Sequence, residues 1–194
     1  HLPAAALMPL NVPNVLTWLR ILMIPLFVGI FYVPDEWLSP AARNVTATVL
    51  FTAAALTDWL DGYLARTLNQ VSAFGAFLDP VADKLMVAAA LVLLVGLDRT
   101  HALVAFIIIG REITISALRE WMAKIGHSRS VAVSMLGKVK TVAQMIAIPL
   151  LLYHLPLGPV DVQLVGTVLL LMAAFLTLLS MVYYLKLALP HLRD

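Results

Sequence analysis

The chain has 194 residues, 62% of them hydrophobic and only 12% charged, with a formal net charge of +2 and a mean hydropathy of +0.95. A soluble domain carries about 25% charged residues, so this composition excludes an ordinary soluble protein, and the small net charge excludes an electrostatic footprint for nucleic acid. The absence of cysteine excludes disulfides and thiolate metal sites.

Residues 1–10, HLPAAALMPL, have neither the basic start nor the cleavage site of a signal peptide. They are read as a juxtamembrane segment or as residues foreign to the natural chain, ahead of a single integral-membrane domain over 11–194 whose first span serves as the insertion signal. A spanning helix needs about 20 apolar residues. The apolar runs predict six, at roughly 15–33, 42–66, 74–96, 101–122, 132–153 and 159–187. Asn14 and Thr17 resemble a helix start, Pro34-Asp35-Glu36 ends the first span, and Ser72 is a cap in the turn before the third. The fold class is therefore an all-α membrane protein of six transmembrane helices.

Six spans place both termini on one side. Arg20, Arg66, Lys84, Arg111, Arg119, Lys124, Arg129, Lys138, Lys140, Lys186 and Arg193 fall on that side, and only Arg43 and Arg99 on the other. The positive-inside rule makes the rich side cytoplasmic. Trp18, Trp37, Trp121, Tyr183 and Tyr184 lie near span ends and read as an interfacial aromatic belt, and the scattered histidines have no metal-ligand spacing.

Four aspartates interrupt the oily sequence at the second and third spans: Asp58, Asp61, Asp79 and Asp83. An ionised carboxylate at the centre of a membrane helix costs about 2.5–3.5 kcal/mol, so the group calls for a cation or a water-filled cavity. Three helical residues advance about 300° and seven about 700°, so Asp58, Asp61 and Ala65 share a face with Gly62 beside them, while Asp79 and Asp83 are one turn apart and Gly75 extends their stripe. The tight turn makes the two spans antiparallel neighbours. An oxygen-only donor set suits magnesium, manganese or calcium. Gly62, Ala65 and Gly75 clear space for a ligand or for the partner helix, and Arg66 pairs an aspartate or a phosphate, or snorkels to the interface.

The pattern D-x2-D-G-x2-A-R-x8-G-x3-D-x3-D, met by Asp58, Asp61, Gly62, Ala65, Arg66, Gly75, Asp79 and Asp83, resembles the CDP-alcohol phosphotransferases. The resemblance extends from about Asn11 to Tyr184, through the runs beginning at Asn11, Gly75, Gly110 and Gly137, toward members that use CDP-diacylglycerol as donor and sn-glycerol 3-phosphate as acceptor. It implies six transmembrane helices around a cytoplasm-facing polar cavity, a homodimer in the bacterial inner membrane, and Mg2+ or Mn2+ as one or two bound ions. It also implies that Asp58, Asp61 and Asp79 are metal ligands, and that Asp83 is the general base with some metal contact when two ions bind. Gly62, Ala65, Arg66 and Gly75 would line the CDP-diacylglycerol site, and the products would be phosphatidylglycerophosphate and CMP.

The acceptor's own phosphate needs cations. Arg111 and Arg119 fall within about 80° of each other on a helix, and with Lys138 they form the expected phosphate pocket; the simpler partner for Arg111 is Glu112. Lys140 lies about 200° round from Lys138 and is ranked lower, as an anchor to anionic lipid. Two other readings compete: the same transfer to serine, inositol phosphate or a second phosphatidylglycerol, and an ion-coupled transporter or cation channel, whose acids would be spread through the membrane depth.

Overall fold

A computed structural model describes residues 12–70, 73–126 and 135–191 of the chain. Six helices follow the order of the apolar runs: α1 (Val12–Gly29), α2 (Pro40–Thr67), α3 (Ala73–Gly96), α4 (Ala102–Lys124), α5 (Met135–Tyr153) and α6 (Val162–Ala188), with a 3-10 turn at Leu189–His191. Among the described residues there is no β-strand, only an isolated bridge between Leu157 and Val160. Helices α1 and α6 are long and apolar enough to cross a membrane by length and composition. The other four have 28, 24, 23 and 19 residues and include the acidic motif and the basic run. The chain divides into two compact units, His1–Leu93 and Leu94–Asp194.

In the first unit, local chemistry sets the helix ends. Helix α2 starts two residues earlier than its apolar run because Ser39, in extended conformation, accepts a bond from the Ala42 amide at 3.2 Å, and Pro40 takes a first-turn position where its missing N–H costs nothing. Helix α1 is described from Val12, so Asn14 lies in its first turn and Thr17 in its second, both buried. It ends at Gly29, ahead of Pro34. The Arg43 guanidinium pins the following loop, donating to the Val33 carbonyl at 2.6 Å and to Asp35 at 2.9 Å. The Ser72 cap and the segment 1–10 lie outside the described residues.

Phe27 of α1 meets Phe51 of α2 with ring centroids 6.3 Å apart, and the small buried Ala47 and Ala54 lie about one turn to either side of Phe51. Small residues let helices pack closely where lipid supplies no hydrophobic drive. Trp18 stacks on Phe74 of α3 at 6.1 Å, so this member of the expected belt packs one helix on another. Thr46, Thr48 and Thr57 donate to the carbonyls four residues back, which satisfies their hydroxyls within the helix and suits a bilayer.

In the second unit, α5 and α6 pack closely. A Cβ on Gly166 would stand 2.8 Å from Leu151 Cγ and 3.4 Å from the Ala147 carbonyl, so only glycine permits this approach without displacing Leu151. At the linked end of the pair, Arg99 donates to the carbonyls of Leu151 and Leu152 at 3.1 and 2.9 Å. These are among the last carbonyls of α5 and have no helical partner ahead of them. Gln163 completes the knot, bonding the Arg99 carbonyl at 2.9 Å and His154 Nδ1 at 3.0 Å. Asp161 caps α6 by accepting from the Leu164 amide at 3.1 Å. At the other end of α6, Tyr184 and Ala188 pack with Ile115 and Met122 of α4.

Candidate functional site

The acids of the first unit meet on α1. Arg20 uses Nη1 for Asp58 Oδ1 at 2.5 Å and Nη2 for Asp61 Oδ2 at 2.6 Å, and Nη2 also stands 3.6 Å from Asp79 Oδ1. The Thr17 hydroxyl, one turn before Arg20, lies 2.6 Å from Asp61 Oδ2 and 2.5 Å from Asp79 Oδ1. Three of the four motif aspartates thus converge on Arg20 and Thr17 from α2 and α3. Asp61 and Arg20 are each only 1% exposed, whereas Asp58 is 42% exposed, so the cluster runs from a sealed floor to an accessible rim. Asp83 is half-buried, one helical turn beyond Asp79.

The donor set fits a hard divalent cation on two grounds. Three carboxylates surround one guanidinium, so the ionised group carries negative charge in excess of Arg20. Thr17 has a single hydroxyl proton but two carboxylate oxygens and the Pro13 carbonyl, at 3.1 Å, within bonding distance; it can donate to one of them only, which leaves close oxygen pairs that a cation would relieve. As the side chains stand, with Arg20 between the carboxylates, no group of three or more acids or histidines among the described residues is disposed to hold a metal ion.

A Cβ on Gly62 would meet nothing within 4 Å among the described residues, as is also true of Gly29, Gly96 and Gly110. Gly75 is buried, Ala65 is half-buried, and Arg66 is exposed in the last turn of α2.

The second unit contains a separate basic group. Arg111 Nη1 donates to Glu112 Oε1 at 3.1 Å, and Lys140 Nζ reaches the same oxygen at 2.5 Å. The pairing of Arg111 with Glu112 expected from their adjacency is present, but Lys140 joins it. Lys140 is 2% exposed, which rules out its reading as a surface lipid anchor. Lys138 is exposed, so the 200° separation holds with the faces exchanged: Lys140, and not Lys138, turns in toward Arg111. The burial differs from the expected outward direction of Lys140, because a helical wheel gives relative directions and not which direction is inward.

Tyr184 is a second correction. Its ring is fully buried, not part of an interfacial belt, and both guanidiniums sit against it, Arg111 at 5.7 Å and Arg119 at 5.6 Å from the centroid. Cation–π contact at such distances is worth about 0.5–2 kcal/mol. Arg119 is otherwise exposed. Sequence reasoning also passed over Arg20 and Thr17 as site residues; the available signal was a charge inside the first oily span, which demands a counterion just as the aspartates do. Arg20, Arg111 and Lys140 are committed to buried ion pairs, which removes them from the surface charge counted for orientation, and Arg129 and Arg193 lie outside the described residues.

The sequence also matches known proteins. The family model for CDP-alcohol phosphatidyltransferase matches residues 10–182. A protein of Shigella flexneri serotype 5b (strain 8401), named CDP-diacylglycerol–glycerol-3-phosphate 3-phosphatidyltransferase, is 50% identical over 191 residues that span 96% of this chain and 100% of the relative. A protein of the same name from Escherichia coli (strain K12) matches with the same identity and coverage. With the acidic motif intact and three of its aspartates converging, the chain belongs to the CDP-alcohol phosphatidyltransferase family.

Proposed function

We propose that this enzyme transfers the phosphatidyl group of CDP-diacylglycerol to the 1-hydroxyl of sn-glycerol 3-phosphate, forming phosphatidylglycerophosphate and CMP, a step toward anionic phospholipids. The observation that carries the reading is the meeting of Asp58, Asp61 and Asp79 in a chain matched over 96% of its length by relatives bearing that transferase name. Membership in this family sets the transporter reading aside.

Asp58, Asp61 and Asp79, with Asp83 when two ions bind, would hold Mg2+ or Mn2+, which when bound neutralises the pyrophosphate and the departing phosphate. Open space at Gly62, with Ala65 and Gly75, leaves room for the donor, and exposed Arg66 pairs with its phosphate. Asp83 takes the proton of the acceptor 1-hydroxyl. That oxygen bonds to the phosphorus carrying the diacylglycerol, the bond from this phosphorus to the bridging oxygen breaks, and CMP leaves with the electron pair. Arg111, Arg119 and Lys140 hold the acceptor phosphate against the Tyr184 wall, with Lys138 in a secondary role. Glu112 orients Arg111 and Lys140 while leaving the group net positive.

The setting proposed is the bacterial inner membrane, with all six helices spanning, the polar cavity and both termini toward the cytoplasm, and two copies forming a homodimer. The concentration of basic residues at one set of helix ends supports that orientation. Metal removal tests the site: EDTA should abolish CMP release from CDP-diacylglycerol plus glycerol 3-phosphate, and excess Mg2+ or Mn2+ should restore it. Full release in EDTA would exclude the metal role.

A further inference from the structure

Burying a guanidinium in a membrane helix is costly unless it is paired, and Arg20 is buried against three acids at once. Its two terminal nitrogens serve Asp58 and Asp61 separately, and Nη2 faces Asp79, so a single planar group sets the spacing of carboxylates from two helices. The bonds use one oxygen of each acid: Asp58 Oδ1, Asp61 Oδ2 and Asp79 Oδ1. The second oxygen of each carries none of them. The Thr17 hydroxyl stands against the same Asp61 and Asp79 oxygens, with one proton to give to either, and it accepts a 3.5 Å contact from Arg20 Nη2. Arg20 Nε, meanwhile, is buried with no hydrogen-bond partner among the described residues. The guanidinium is thus placed for the acids at the expense of one of its own donors.

We infer that Arg20 and Thr17 are positioning residues for the cation site: they brace Asp58, Asp61 and Asp79 by their outer oxygens and reserve the inner oxygens for the ion. The inference rests on the metal reading above and extends it to residues outside the acidic motif. Groups that hydrogen-bond metal ligands fix their orientation, and losing one typically costs about 10–100-fold in metal affinity. The opposite role is physically distinct. A guanidinium that merely occupied the ion's place would compete with it, and its removal would tighten binding.

The test is Mn2+ binding by calorimetry to the full-length purified protein, without substrates, so that no catalytic readout is needed. Arg20→Lys keeps the charge, but one ammonium cannot span Asp58 and Asp61 through a planar fork; its Kd for Mn2+ should rise about 10–100-fold. Thr17→Val removes the hydroxyl with little change of shape, leaves every charge in place and should weaken binding in the same direction, which keeps the test open if Arg20→Lys does not fold. Lys124→Ala, which breaks only an exposed pair with Glu120, should bind like the unaltered protein. Folded variants with unchanged Kd, or with tighter binding, would overturn the bracing role. Absence of saturable Mn2+ binding by the unaltered protein would instead overturn the metal reading itself.

Discussion

Asp83→Asn is expected to lower kcat for glycerol-3-phosphate-dependent CMP release by about 10²–10⁴-fold, the usual worth of a positioned general base. The substitution keeps the shape of the side chain and removes its capacity to take a proton. Asp58, Asp61 and Asp79 are engaged by Arg20 and Thr17, and the base role proposed for Asp83 is what this substitution tests. A carboxylate neutralised by a guanidinium or a metal is a poor base. The measurement is steady-state turnover with both substrates and metal saturating, alongside the Mn2+ Kd of the variant. Near-normal kcat would remove Asp83 as the base, and a lost kcat accompanied by an equally weakened Kd would make it a ligand instead.

Lys140→Ala is expected to raise the KM for glycerol 3-phosphate by about 10–100-fold, while the KM for CDP-diacylglycerol changes little. A charge-assisted hydrogen bond to phosphate is worth about 1.5–3 kcal/mol, and the same change removes a cation that shares Glu112 with Arg111. Lys138→Ala should shift the acceptor KM less, because Lys138 is exposed while Lys140 is buried beside Glu112. The pair of variants therefore discriminates between the two faces of α5. Kinetics with each substrate varied at saturating levels of the other settles it, and a larger acceptor effect from Lys138 would return the pocket to the opposite face.

The helix order was legible because each helix follows an apolar run broken by proline, glycine or polar residues. The start of α2 was not, since Ser39 and Pro40 act outside the apolar run. The acidic motif announced itself through electrostatic cost and through its spacing, which also carried the family. Arg20 and Thr17 escaped because their partners lie far away in sequence, Asp61 at 44 positions from Thr17 and Asp79 at 62. A periodicity argument sees one helix at a time. For the same reason it placed Tyr184 at an interface and turned Lys140 outward: burial depends on which neighbouring helix covers a face, and no local pattern contains that neighbour.

In the proposed mechanism the acidic motif serves the CDP-linked donor, so acceptor choice would rest on the basic group around Glu112. The most direct measurement is CMP release by the purified protein from CDP-diacylglycerol with Mg2+, comparing glycerol 3-phosphate, serine, inositol phosphate, phosphatidylglycerol and no acceptor. Release stimulated by glycerol 3-phosphate alone, with phosphatidylglycerophosphate as the lipid product, is the predicted result. Stimulation by serine or another acceptor, with none by glycerol 3-phosphate, would contradict it.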